Sequence, residues 1–257
     1  MPHRLPLLPD RSSPLVFAHR GLSSEAPENT MASFRLARDY GIPGIELDIH
    51  LSADGKLVVM HDAVTTRTSP GSTMLIEETG YELLKDLDVG AWKGDRWKGE
   101  HPPLLADVLE EFTPDMYFDI EIKAPKATDR GVEAALVTLL SAMNLGRNSI
   151  IVSSFNPIAI KRFKALRPDV ATGIIYCDSD ELPFYLRHGE GRWLGRADFL
   201  KPEHIMVKRL AMSVKRVTGG RPVLPWTVDE QQDADRLMAL GCAGFISNKP
   251  HLAWRKT

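Results

Sequence analysis

Apolar and polar positions alternate most cleanly between Gly44 and Asp62. Ile45, Leu47 and Ile49 interleave with Glu46, Asp48 and His50. A period of two sets Glu46 and Asp48 on one face of a strand, about 6.5 Å apart along the backbone. Ala53-Asp54-Gly55 supplies turn chemistry, and Leu57-Val58-Val59-Met60 reads as a returning strand. A turn centred near Asp54 and Gly55 brings His61 back opposite Asp48. The same alternation recurs from Met116 to Lys123, where Phe118, Ile120 and Ile122 interleave with Asp119, Glu121 and Lys123.

Elsewhere the apolar runs are short and unbroken. Together with the two alternating stretches they predict strands at 15–18, 44–49, 116–122, 150–155, 171–176, 204–207, 222–228 and 244–247, mostly apolar as in a buried parallel sheet. Helical periodicity lies between them. It covers Phe34 to Tyr40 after Asn29-Thr30, Leu104 to Phe112, Arg130 to Met143, and a segment opening at Asn156-Pro157. Leu210 to Thr218 and Asp229 to Leu240 follow. Eight such repeats predict an α/β fold, a (β/α)8 TIM barrel formed by one catalytic domain over 1–257. The strand at 57–61 is then an added hairpin arm after strand 2. A doubly wound open sheet fits less well, because no glycine-rich dinucleotide or P-loop fingerprint accompanies it. Residues 62–103 alternate poorly, carry Trp92 and Trp97 among glycines and prolines, and read as a small insertion.

Composition adds exclusions. A formal net charge of −2 gives no bulk attraction to nucleic acid or to an anionic membrane. No apolar run approaches a membrane span, and the proline-broken N-terminus does not resemble a signal peptide, so a cytoplasmic protein is expected. Cys177 and Cys242 lie outside any metal-like spacing and read as small buried hydrophobes. The sequence is silent on oligomeric state.

In a barrel of this kind the site gathers at the C-terminal ends of the strands. His19 and Arg20 end strand one, Glu46 and Asp48 lie in strand two, and Glu121 and Lys123 end strand three. Phe155 and Trp226 end later strands. Two carboxylates this close repel by a few kcal/mol at an effective dielectric of about 20. A hard divalent cation removes that conflict. Taken alone, the pair also fits an ordinary half-exposed strand with solvated acids. Arg20 and Lys123 suit phosphate oxygens. His19 and His61 supply an acid and a base that work near neutral pH. Each residue has a plainer role open to it: Glu121 and Lys123 as an ion pair, Trp226 as rim packing, Glu28 as a helix N-terminal charge. Their convergence points to phosphodiester cleavage.

His19-Arg20-Gly21, Pro27-Glu28-Asn29-Thr30, Glu46-Leu47-Asp48, His61-Asp62 and Glu121-Ile122-Lys123 follow one another in an order and spacing that resembles the glycerophosphodiester phosphodiesterase family. Ser153-Ser154-Phe155 and Trp226-Thr227-Val228 are similar to two later motifs of that family, and the likeness runs from about residue 15 to residue 250. The resemblance implies hydrolysis of a small-molecule glycerophosphodiester to glycerol 3-phosphate and an alcohol, at one divalent cation, Mg²⁺ or Ca²⁺. By position it implies Glu46, Asp48 and Glu121 as metal ligands and His19 and His61 as the acid–base pair. Arg20 and Lys123 fall at the phosphate contacts, with Trp226 and Phe155 as candidate substrate contacts. It also implies attack by the neighbouring glycerol hydroxyl, with a cyclic phosphate that water then opens. One departure is Ser247-Asn248, where the family usually carries Thr-Asp. A lysophospholipase D-type enzyme, with Trp92 and Trp97 lining an apolar groove, and a non-catalytic phosphodiester-binding barrel are the alternatives. A barrel lyase or isomerase using Lys123 is a third.

Overall fold

The computed structural model describes residues 7–12, 14–124, 128, 130–209, 212 and 220–253. Its strands are β1 (Leu15–His19), β2 (Gly44–Leu51), β3 (Leu57–Val59), β4 (Tyr117–Ile122), β5 (Ile150–Ser154), β6 (Ala171–Tyr176), β7 (Phe199–Pro202) and β8 (Gly244–Ser247). The sheet runs β7-β6-β5-β4-β2-β1-β8, with β3 attached to β2. Neighbours along that path are parallel, and the β2–β3 hairpin is antiparallel.

Residues 222–228, expected as a strand, close the ring without forming a regular ladder. Pro222 and Pro225 have no N–H to give a neighbour. What survives is a pair of isolated bridges, Leu200 to Val223 and Glu203 to Trp226. On the other side, Ala243 donates to the Val223 carbonyl at 2.8 Å and Ile246 to the Pro225 carbonyl at 3.0 Å. β7 and β8 are thereby joined through the eighth staves of a TIM barrel.

The helices follow the sequence pattern closely: α1 (Met31–Asp39), α2 (Tyr81–Leu84), α3 (Leu105–Phe112), α4 (Val132–Ala142), α5 (Pro157–Leu166), α6 (Gly191–Leu194), α7 (Gln231–Leu240) and α8 (Pro250–Ala253). Thr30 caps α1 in a reciprocal box with Ser33, and Asn156 caps α5 with Pro157 in the first turn. The helix expected over 210–218 lies almost wholly outside the described residues. Residues 62–103 hold α2 and four short 3₁₀ turns, with Ile76, Leu84 and Val89 packed on Val58 and Met60 of the hairpin. No helix among the described residues is long and apolar enough to cross a membrane.

Two expectations need correction. The strand placed at 204–207 is instead β7, and His204–Met206 is a 3₁₀ turn. Lys201 breaks the apolar run of β7, which hid it. The hairpin register also differs by one residue. Ile49 pairs with Val59 and the Met60 N–H reaches the Asp48 carbonyl, so the turn centres on Asp54 and Met60, not His61, faces Asp48.

Strand parity fills the barrel in layers. Phe17, Tyr117, Ile151, Ala171, Phe199, Leu224 and Ile246 form an apolar cluster toward the N-terminal end. Two residues further along the same strands, with the same inward parity, come His19, Asp119, Ser153, Gly173, Lys201 and Trp226. Glycine makes room for the inward rings: a Cβ on Gly44 would meet the Tyr117 ring at 2.2 Å, and one on Gly173 the Phe199 ring at 2.3 Å. The opposite parity, including Ile45, Leu47, Phe118, Ile120 and Val152, packs outward on the helices. The interior thus changes from oil to charge as it nears the C-terminal mouth.

Candidate active site

Glu46 and Asp48 sit in the middle of β2, opposite Asp119 and Glu121 of β4 in register. All four carboxylates are buried. This excludes the half-exposed strand with solvated acids that the β2 pattern alone allowed. Glu46, Asp48 and Glu121 each bring one oxygen within 4.8 Å of the others. Oε2 of Glu46 is buried without a hydrogen bond. A bare carboxylate oxygen at that depth is costly unless a cation or proton meets it. The donor set is all oxygen, the preference of a hard divalent ion, so the residues present fit one.

Lysines neutralise the cluster from two sides. Lys123 Nζ lies 2.9 Å from Asp48 Oδ1 and 2.5 Å from Glu121 Oε1. Lys201 Nζ, from β7, lies 2.8 Å from Glu46 Oε1 and 2.9 Å from Asp119 Oδ2. The Ser153 hydroxyl donates to Asp119 at 2.7 Å and accepts from Lys201 at 3.2 Å. Burial raises Asp119 to about 6 even against Lys201. Burial opposes ionisation of Glu46 and Asp48 as well. Lys201 and His19 outweigh it at Glu46, and Lys123 and Arg20 at Asp48, so both carboxyls lie below their ordinary range. Lys201 was not among the residues singled out from the sequence. Its signal was parity with Phe199, but only the barrel register makes that parity inward.

The two histidines flank the carboxylates with different partners. His19 Nδ1 is 2.7 Å from Asn248 Oδ1, while Asn248 Nδ2 donates to Asp229 at 2.8 Å. The Asp229 contact fixes the amide, so His19 donates from Nδ1 and carries its lone pair on Nε2. That Nε2 is 3.8 Å from Glu46 Oε2. Burial, helped by Arg20, lowers the His19 pKa. His61 Nδ1 donates to Asp62 at 2.6 Å, and Asp62 is held by Arg67 at 2.6 Å. Burial disfavours the Asp62 anion, but Arg67 and His61 bring it down to about 2. Asn248, at the position where the sequence departs from the family pattern, is therefore the partner of His19.

Arg20 adopts a positive φ of 58° at the end of β1. Its guanidinium reaches Glu28 Oε1 at 2.9 Å and Asp48 Oδ2 at 3.2 Å. Asn29 adds a donor to Asp48 Oδ2 at 2.8 Å. Glu28 is not a helix charge as expected: Thr30 makes the cap, and Glu28 bridges Arg20 and Arg67. A cavity of about 320 Å³ at the mouth is lined by His19, Arg20, Glu46, His61, Glu121, Lys123, Phe155, Lys201 and Trp226, with Cys177 at its side. Phe155 and Trp226 meet edge to face at 5.8 Å, and the Trp226 indole donates to the Lys201 carbonyl. Cys177 is only half-buried, unlike Cys242, because it follows β6 into the mouth loops. Trp92 and Trp97 do not line this cavity; Lys93 and Arg96 stack on them within their own segment.

A barrel with buried acids, two lysines, an arginine and two oriented histidines at one mouth is equipped for a charged, phosphate-bearing substrate. The model of the glycerophosphoryl diester phosphodiesterase family matches residues 19–252. The chain belongs to that family. It is 34% identical over 238 residues to a glycerophosphodiester phosphodiesterase of Caldanaerobacter subterraneus subsp. tengcongensis, covering 92% of this chain and 94% of that protein. A phosphodiesterase of Oleispira antarctica, solved in complex with the product sn-glycerol-3-phosphate, superposes with a TM-score of 0.79 at 32% identity, over 93% and 94% of the two chains. A glycerophosphodiester phosphodiesterase from Agrobacterium tumefaciens gives 0.76 at 25% identity, over 93% and 97%.

Proposed function

We propose that this chain is a metal-dependent glycerophosphodiester phosphodiesterase that releases sn-glycerol 3-phosphate and an alcohol, the whole barrel acting as one catalytic domain with 62–103 inserted. The observation that carries it is the buried Glu46–Asp48–Glu121 cluster, with an uncompensated Glu46 oxygen, set between two histidines of fixed tautomer. Glu46, Asp48 and Glu121 hold the cation, which neutralises phosphoryl charge when bound. Arg20 and Lys123 line the same cavity and orient the phosphate, although each is already anchored on carboxylates. Phe155 and Trp226 form an apolar wall for the substrate carbons.

The histidine roles follow from their partners. His19 faces a neutral amide and has a lowered pKa, so it is a free base at neutral pH and takes the proton from the glycerol hydroxyl. His61, held at Nδ1 by Asp62, lines the same cavity and hands the proton to the leaving alcohol. The deprotonated glycerol oxygen bonds to phosphorus as the bond to the alcohol breaks, and water then opens the resulting cyclic phosphate with the two roles reversed.

The test is release of glycerol 3-phosphate from glycerophosphocholine and glycerophosphoethanolamine, with EDTA and with Mg²⁺ or Ca²⁺ restored. Metal-dependent release is expected, and turnover that survives complete chelation would remove the metal reading. A second reading, a lysophospholipid phosphodiesterase, is favoured by one observation: a groove of about 560 Å³ beside His61 and Lys123, bordered by Ala63, Val64, Ile122 and Ala124. Preference for lysophosphatidylcholine over glycerophosphocholine in the same assay would select it.

Asn248→Asp tests His19. A base must be deprotonated, so kcat/KM falls as pH drops through the His19 pKa, which lies below the ordinary 6.5. A carboxylate at 248 stabilises the imidazolium and raises that pKa. The acidic limb of the profile should move to higher pH by the same amount. A limb that stays in place would mean His19 is not the base.

A further inference from the structure

Every carboxylate of the cluster already spends one oxygen on an ammonium, that of Lys201 fully buried and that of Lys123 half-buried at the mouth. Lys201 takes Oε1 of Glu46, while Lys123 takes Oδ1 of Asp48 and Oε1 of Glu121. Lys201 cannot easily leave. It is fully buried in the barrel interior, held from below by Asp119 and by the Ser153 hydroxyl. The second oxygen of Asp48 also accepts from Asn29 and lies against Arg20. A cation that tried to chelate Glu46 through both oxygens would have to share Oε1 with an ammonium 2.8 Å away.

This limits what the cluster can offer. Ca²⁺ takes six to eight oxygens and commonly uses both oxygens of a carboxylate, whereas Mg²⁺ keeps a strict octahedron and retains several waters. Resting on the metal reading above, we infer that Lys201 and Lys123 restrict Glu46, Asp48 and Glu121 to one oxygen each, so that the centre selects Mg²⁺ over Ca²⁺, with Lys201 the positioning residue for Glu46. The positions that three single oxygens leave open would fall to water. Outer-shell partners of this sort orient ligands and tune the metal without touching it.

The experiment is calorimetric titration of the chelator-treated full chain with MgCl₂ and with CaCl₂, in the absence of substrate. Wild type should bind Mg²⁺ more tightly than Ca²⁺. Lys201→Met frees Glu46 Oε1, and the affinity ratio should shift toward Ca²⁺ by about tenfold or more. Removing the lysine alone leaves Asp119 facing Glu46, so Lys201→Met with Asp119→Asn is the second variant, and the same shift is expected there. A further readout needs no variant: Mn²⁺ bound to the wild type should keep at least about three water molecules in its shell, counted by spin-echo spectroscopy in ¹⁷O-enriched water. Preference of the wild type for Ca²⁺, fewer retained waters, or an unchanged ratio in folded variants would overturn the inference while leaving the metal reading intact. Failure of the wild type to bind either ion would overturn the metal reading itself.

Discussion

Glu121→Ala is expected to lose roughly three orders of magnitude or more in kcat/KM, the equivalent of several kcal/mol of transition-state stabilisation supplied through the metal. It should also weaken cation binding by more than about 100-fold, beyond what outer-shell changes produce. The fold should survive. Glu121 pairs with Lys123, and Lys123 keeps its contact with Asp48 at 2.9 Å after the change, so no ammonium is stranded in the interior. The lost side chain faces the mouth cavity, which water can fill. A change in the metal-free Tm of less than about 4 °C is expected, near 1 kcal/mol for a chain of this size. Asp48→Ala is a worse probe, because Asn29 and Arg20 both lean on Asp48 and would lose it together. Activity within tenfold of wild type at saturating metal would take Glu121 out of the ligand set. Collapse of the metal-free fold would show that the carboxylate is structural.

Much of this site was legible because β2 and β4 alternate so sharply. Buried strands in a barrel normally read as unbroken apolar runs, so acids at every second position are conspicuous and their shared face is fixed by a period of two. Parity gave the carboxylates but not their counter-ions. Lys201 lies 155 residues from Glu46. Only closure of the sheet puts β7 across from β2, and a lysine in a short strand looks like a reason to reject the strand. Register at the hairpin failed for a local reason: the Ser52 hydroxyl and the Lys56 N–H close the turn around Asp54, a detail of hydrogen bonding that the Asp-Gly pair does not determine. Asn248 stands out in the sequence as a departure from the family pattern, but its role depends on the loop after β8, which folds over β1 and brings it to His19. Arg67, which joins Glu28 to Asp62, came from a stretch with no periodicity at all.

His61→Ala should lower kcat by about 10²–10⁴ on a choline diester, the usual span for loss of a general acid. His61 is not one of the three acids whose oxygens converge, so cation affinity should change little. The size of the loss has to depend on the leaving group. Choline is a poor leaving group and needs a proton as the P–O bond breaks. A p-nitrophenolate does not, so the defect on glycerol 3-phospho-p-nitrophenol should shrink toward wild type. Asp62→Asn supplies the intermediate case. The ring keeps a hydrogen-bonding neighbour at Nδ1 but loses the carboxylate that orients it, and with it the Arg67–Asp62 ion pair at 2.6 Å. Its defect should be smaller than that of His61→Ala and should narrow on the same activated substrate. If His61→Ala is instead equally slow on both substrates, His61 is not the acid. Its place between the mouth cavity and the apolar groove would then point to binding the departing alcohol, read as a rise in KM rather than a fall in kcat.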